Sequence, residues 1–262
     1  MWILGKTLSQ RNMKMKKGWN RLYDDLAWLW PIWEDVEEYR SESELFAKLI
    51  NKYAKIKVRT LLDMGCGGGK NVFHLKRHFA VMGIDRSRAM LSNAKKQNPD
   101  CDFHLGDMRK FDLKRQFDSV FINDAITYMT TKKDLLMVFN TAHKHLRPGG
   151  VMITYPDECK EKFEQNETNI WTSEADDMNI TFIENQYDPN PKDDTFETTF
   201  IYLIRKNGKL RIEYDFHLCG LFTLNTWKKS LKQAGFDVHQ EEGDEDTGGL
   251  PVFACTKPIL NR

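Results

Sequence analysis

Between an apolar run, Thr60-Leu61-Leu62, and a stretch with helical spacing lies Asp63-Met64-Gly65-Cys66-Gly67-Gly68-Gly69, four glycines in five residues. Glycine lets the backbone turn sharply and lets a ligand approach it with no Cβ in the way. A loop of this composition between strand and helix is the ligand-cradling turn of an α/β fold.

The surrounding pattern agrees. From Val58 onward, short apolar runs (TLLDM, AVMGID, CDFHL, FDSVFIN, VMITY) alternate with amphipathic segments at 70–79, 87–97 and 132–146. Such alternation predicts parallel β/α units with crossover helices. Past residue 156 the rhythm changes to a period of two near 180–187, 195–205 and 209–218, with Asn207-Gly208 placed for a type I′ hairpin. This predicts an antiparallel flap. Thr223 then caps a helix that ends at Gly235, and strands near 236–241 and 250–256 return to the sheet. Upstream, Trp19, Leu22, Tyr23, Leu26 and Trp30 fall on one helical face, with Pro31 as the expected stop, and a second helix runs from Ser41 to about Tyr53. The expected division is a helical lid over 1–54, an α/β core over 55–156, an inserted β flap over 157–222, and a helix with strands completing the sheet over 223–262.

The acids beside the glycine loop distinguish two kinds of ligand. A dinucleotide loop needs a third spaced glycine where this chain has Lys70, and bare helix-terminal amides for a pyrophosphate. Here Asp63 stands next to the loop, Asp85-Arg86 ends the next strand, and Asp107-Met108 ends the one after. Asp85 suits paired ribose hydroxyls, Asp107 an exocyclic amine and Met108 an adenine face. Asp63 suits a cationic amino acid tail. S-adenosylmethionine (SAM) carries that cation and no phosphate.

The motifs DMGCGGG, GIDRSRAML, GDMRKF and HLRPGG resemble the class I SAM-dependent methyltransferases over roughly residues 58–156. The flap, HLCGLFTLNTWKKSLKQAGF and GLPVFA resemble small-molecule members, notably the sugar N,N-dimethyltransferases. The resemblance implies a Rossmann-like seven-stranded sheet with its last strand antiparallel, and release of S-adenosyl-L-homocysteine. It also implies an N-terminal lid whose tyrosine, here Tyr23, reaches the SAM tail. The expected cofactor wall is Tyr23, Trp28, Asp63, Gly65, Cys66, Gly67, Asp85, Arg86, Asp107, Met108 and Asn123. Trp28 enters because it projects opposite Trp19 on the expected helix, so it is either exposed or covers a ligand.

Methyl transfer needs the acceptor lone pair held in line with the sulfonium, and a base only where a proton must leave. The loops after the fourth and fifth strands offer Asp124 and Tyr128, and the flap offers His217 where many relatives with this lid also carry histidine. These three are the catalytic candidates. The chain departs from the sugar dimethyltransferases in having no histidine soon after the fourth strand, where it reads Asn123-Asp124-Ala125-Ile126-Thr127-Tyr128.

Charge and cysteine usage set the expected partners. Net charge is +1, but residues 1–21 carry six bases and no acid, while 157–197 carry thirteen acids against three bases. An acidic flap repels phosphates, and no N/D-P-P-Y/F tetrapeptide follows the fourth strand, so no nucleic acid is expected. Five scattered cysteines without ligand spacing predict no metal and a reducing, cytoplasmic setting, and no apolar stretch predicts a membrane span. The expected partner is a small-molecule acceptor, an amine before a hydroxyl, with a monomer or homodimer as the assembly. Methylation of a protein or other macromolecule, and SAM binding without transfer, are the alternatives.

Overall fold

The structure is a computed structural model that describes residues 19–33, 35–175 and 177–259. Lys6, Arg11, Lys14, Lys16 and Lys17 of the basic leader lie outside the described residues.

The lid comprises 3-10 turns at Arg21–Tyr23 and Ala27–Leu29, helix α1 (Trp30–Trp33), a third 3-10 turn at Val36–Tyr39, and helix α2 (Arg40–Tyr53). The α/β core follows as β1 (Thr60–Met64), α3 (Lys70–Leu75), β2 (Ala80–Asp85), α4 (Arg88–Gln97), β3 (Asp102–Leu105), β4 (Phe117–Ile122), α5 (Lys132–His145) and β5 (Leu146–Thr154). Four flap strands come next, β6 (Thr168–Ala175), β7 (Met178–Tyr187), β8 (Thr195–Lys206) and β9 (Lys209–Gly220), before α6 (Leu224–Gln233), β10 (Asp237–Glu241) and β11 (Val252–Thr256).

The core sheet runs β10-β11-β5-β4-β1-β2-β3, with β11 antiparallel to both neighbours. This is the class I methyltransferase sheet. Because successive side chains point to opposite faces, each central strand feeds two cores. Leu62, Val120, Ile122, Met152 and Phe253 pack on the α5–α6 side with Phe139 and Trp227. Leu61, Phe121, Ile153 and Ala254 pack on the α2–α3 side with Phe46, Ile50 and Leu75. Six consecutive buried residues in β4 follow from this double coverage.

The flap is a separate antiparallel sheet, β6-β7-β8-β9. Asn207 and Gly208 have φ of 50° and 75°, the pair of positive angles a type I′ turn needs. One flap face, with Ile180, Phe182, Phe200, Tyr202 and Ile204, packs on Leu22, Leu26 and Leu29. Lid and flap therefore share a core of their own. Strand β6 escapes the sequence pattern because its burial alternates only between exposed and half-buried, so no apolar period marks it.

The continuous helix expected over 18–30 is absent. Asn20 takes a left-handed conformation (φ 53°) and Asp24 leaves the helical region (φ −133°), so the segment breaks into short turns. Pro31 does not end a helix either. It lies in the first turn of α1, where its missing N–H would have no intrahelical partner.

Candidate active site

The carboxyl ends of β1 to β4 open, under the lid, onto a cavity of about 590 Å³. Its wall carries Tyr23, Asp63, Gly65, Cys66, Gly67, Asp85, Arg86, Asp107, Met108, Asn123, Asp124 and Tyr128. Of the sequence candidates, only His217 and Trp28 lie outside that wall. Breaking of the expected helix turns Trp28 onto an outer groove beside Met178, Ile204 and Leu210, so it covers no cofactor space. Trp30 takes the inner position. Its indole lies 2.2 Å from where a Cβ on Gly68 would stand, so the loop must be glycine there for the lid to close on it.

The loop geometry follows from backbone bonds. The amides of Gly65 and Cys66 both donate to the Ile84 carbonyl, at 2.7 and 3.0 Å, folding the turn against β2. Gly65, Gly67 and Gly69 all have positive φ. A Cβ on Gly65 would meet Ala125 and the Met108 methyl at 2.3 and 2.7 Å, so this position is also closed by contact. Burial pushes the Cys66 thiol well above its ordinary pKa, which makes it packing and not a nucleophile.

The acids differ in environment. Asp85 accepts from the amides of Gly67 (3.0 Å) and Ser87 (2.7 Å), bonds that fix its orientation while burial raises its pKa. Asp63 is buried, its Oδ1 has no hydrogen-bond partner, and burial with the nearby charges of Asp85, Glu42 and Asp124 pushes its pKa up to about 8. Asp107 is held by Arg109, whose guanidinium pairs both carboxylate oxygens and keeps the pKa down near about 2. That pairing takes up much of the accepting capacity foreseen for an adenine amine.

Glu42 went unnoticed in the sequence. It accepts from Tyr155 Oη (2.5 Å) and Asn123 Nδ2 (3.3 Å), and burial, then Asp124, raises its pKa to about 8. A signal existed: Glu42, Phe46, Leu49 and Ile50 share the buried face of α2, so an acid interrupts an apolar stripe. Lys70, also buried, places its ammonium 4.8 and 4.9 Å from the Trp30 and Tyr39 ring centroids, tying the loop to the lid by cation–π contacts.

At the flap end, Tyr23 Oη is 2.8 Å from Tyr128 Oη, which is 2.6 Å from His217 Nδ1. His217 Nε2 is 2.8 Å from Asp215 Oδ2. His217 is thus buried behind Tyr128 and outside the cavity wall. Asp215 was also missed. On β9 Asp215, His217 and Cys219 are among the buried positions while Tyr214 and Phe216 are exposed, an inversion of the usual strand polarity that marks a polar site.

The orphaned acceptors fit the expected cofactor. Asp63 Oδ1 and Asn123 Oδ1 are buried in the cavity wall without donors, and Asp63, Glu42, Asp85 and Asp124 gather at the same end, the first two with pKa values pushed up to about 8. An ammonium supplies both the donors and the charge that such a group of carboxyls needs. Among the described residues no cluster of histidine, cysteine and acid is arranged to hold a metal.

Comparison with known proteins agrees with this geometry. A family model described as a methyltransferase domain matches residues 61–150. The chain is 27% identical over 219 residues to the dTDP-3-amino-3,4,6-trideoxy-α-D-glucopyranose N,N-dimethyltransferase of Streptomyces venezuelae, covering 82% of this chain and 91% of that one. It is also 27% identical to the dTDP-3-amino-3,6-dideoxy-α-D-glucopyranose N,N-dimethyltransferase of Streptomyces fradiae, covering 82% and 84%. The crystal structure of Streptomyces venezuelae DesVI superposes with a TM-score of 0.78 at 26% identity, covering 89% of this chain and 96% of that one. Sheet order, glycine loop, orphaned acids and relatives together make this chain a class I SAM-dependent methyltransferase, similar to the sugar N,N-dimethyltransferases.

Proposed function

We propose that the chain methylates the nitrogen of a small amine, of amino-sugar size and character, bound between lid and flap. The observation that carries this reading is the carboxylate field around Tyr128. Asp124 begins the turn that ends at Tyr128, and the charge of Asp157 acts on Tyr128, Tyr155 and Cys219. Desolvation raises Asp157 to about 7, as does the nearby charge of Glu184, and Glu158 stands at about 7 for the same kinds of reason. Negative charge at that mouth attracts a cationic amine. The relatives' names support nitrogen as the methylated atom.

When bound, SAM supplies an electrophilic methyl group on a sulfonium. The chain's own part is to hold its partners. Asp63, with Asn123 and Tyr23, receives the amino acid tail, Asp85 the ribose hydroxyls, and Gly65, Cys66 and Gly67 the close approach of the backbone. Met108 and Asp107 flank the adenine, and Arg86 closes the outer rim. Asp124 steers the acceptor, and Tyr128, backed by His217, stands on the same wall. The five cysteines, none of them in a disulfide, support a reducing, cytoplasmic setting. No helix among the described residues is long and apolar enough to cross a membrane.

The test is a methyl-transfer assay with labelled SAM on paired acceptors that differ only in amine against hydroxyl, including a dTDP-linked 3-amino-3,6-dideoxyglucose and unlinked amino sugars. Label is expected on the amines. Preferential labelling of the hydroxyl partners overturns the reading.

A further inference from the structure

Four side chains from three parts of the fold form one hydrogen-bonded line, Tyr23 of the lid, Tyr128 after β4, and His217 and Asp215 of β9. Its direction is fixed at the buried end. Asp215 accepts from the Leu22 amide (2.7 Å) and the Phe216 amide (2.8 Å) with no exposed surface, so its carboxylate is set as an acceptor on both oxygens. His217 Nε2, 2.8 Å from the same Oδ2, must then be the donor, which leaves Nδ1 of a neutral ring as the acceptor. Tyr128 therefore donates to Nδ1, and Tyr23 donates to Tyr128. The lone pairs of the Tyr23 hydroxyl remain for the cavity, whose wall Tyr23 shares with Tyr128 and Asp124.

We propose that this line is a proton relay whose polarity is set by Asp215, a positioning residue, and that it removes the acceptor amine's proton to His217. The inference rests on the amine reading above. The same acids that attract an ammonium also keep it protonated, so a proton must be led away before nitrogen can attack. The step balances. The N–H bond of the ammonium breaks and its proton joins the Tyr23 oxygen, the Tyr23 proton passes to Tyr128, and the Tyr128 proton passes to His217 Nδ1. The amine gains its lone pair, and the imidazolium is paired with Asp215. All three hydroxyl and imidazole bonds then point the other way, and return of the proton to water after product release restores them.

The groups around His217 come from several elements. From the lid come Tyr23 and, through Tyr202, the more distant Arg21. Tyr128 faces it from the 3-10 turn and the Phe200 ring edge from β8, Asp215 and Cys219 share its buried face of β9, and Tyr202 stands near Asp215. Asp157 and Glu184 act on Cys219, and Asp157 on Tyr128.

The test combines a spectroscopic and a kinetic measurement. In the wild-type protein, histidine-selective 15N NMR, with His217→Gln to assign the signal, is expected to show His217 protonated on Nε2 and bare on Nδ1. In Asp215→Asn one oxygen remains for the Leu22 amide and Nε2, so the tautomer is expected to be kept while the negative charge that pairs the imidazolium is lost. With an amine acceptor, kcat of Asp215→Asn is expected to fall about tenfold to a hundredfold near pH 7 and to recover as pH approaches the acceptor's own pKa, with little change in KM. S-adenosylhomocysteine affinity, measured by calorimetry, is expected to stay within about twofold. Tyr23→Phe, which cuts the outer end and leaves Asp215 and His217 paired, is expected to show the same pH-dependent loss with the wild-type tautomer. A wild-type His217 protonated on Nδ1, or a loss equal at every pH in both variants, overturns the relay. Absence of turnover on every amine by the wild-type enzyme overturns the amine reading instead, while the tautomer still decides the polarity.

Discussion

Asp63 and Asp85 lie two register steps apart on adjacent parallel strands, and only Asp85 is anchored by backbone amides. Asp63 keeps an unbonded oxygen and a pKa of about 8, so near pH 7 it is largely protonated until a cation arrives. Binding an ammonium beside it lowers that pKa and expels the proton. At pH 7, calorimetry of S-adenosylhomocysteine in buffers of different ionisation enthalpy is expected to show net proton release. In Asp63→Asn the release is expected to shrink and the affinity to fall about tenfold. Identical heats in all buffers would contradict the placement of the tail.

The same residue sets a stability slope. A carboxyl whose pKa rises on folding holds its proton in the native state while the unfolded chain has lost it, so stability falls as pH rises from about 4 to about 8. Asp63→Asn removes that penalty. The ligand-free variant is expected to be more stable than wild type at pH 8, by about 1 to 3 kcal/mol, and indistinguishable near pH 4. Denaturant melts at the two pH values check the sign.

Asp85 contributes through preset geometry, because two amide bonds fix the carboxylate before the ribose arrives. Asp85→Ala is expected to weaken S-adenosylhomocysteine binding about fivefold to a hundredfold, the cost of buried hydroxyls left unpaired. Unchanged affinity would remove Asp85 from the site.

Trp28 and Trp30 separate the outside of the lid from its inside. Trp30→Ala is expected to cost about tenfold in cofactor affinity, and Trp28→Ala less than about twofold. Hydrogen exchange over 19–33 is expected to slow in the wild type on adding S-adenosylhomocysteine, and much less in Trp30→Ala. Equal effects of the two substitutions would show a lid that is only structural.

Asp124 is exposed in the cavity wall, where the proposed function has it steer the acceptor. Asp124→Asn is expected to raise KM for amines about threefold to tenfold while leaving S-adenosylhomocysteine affinity nearly unchanged, an effect that weakens with added salt. Steady-state kinetics at two ionic strengths measure it.

The sequence by itself determined the sheet, the glycine loop and the three strand-end acids, because each is local. A period of two, a run buried on both faces, and glycines beside a strand end are written in neighbouring residues. The Asn207-Gly208 hairpin was legible for the same reason, since two positive φ angles are a property of two residues. Tertiary structure alone decided which tryptophan faces the cavity, because the lid's path depends on backbone breaks at Asn20 and Asp24 and on a core shared with the flap. It also decided that Asp107 is committed to Arg109, which is shared with Asp134 twenty-five residues away. The line from Tyr23 to Asp215 needs residues nearly two hundred positions apart, and Glu42 meets Tyr155 across more than a hundred. Hydrogen-bond polarity and raised pKa values come from burial and through-space charge, which a linear pattern encodes only indirectly, as an acid on an apolar face of α2 or a polar inward face on β9.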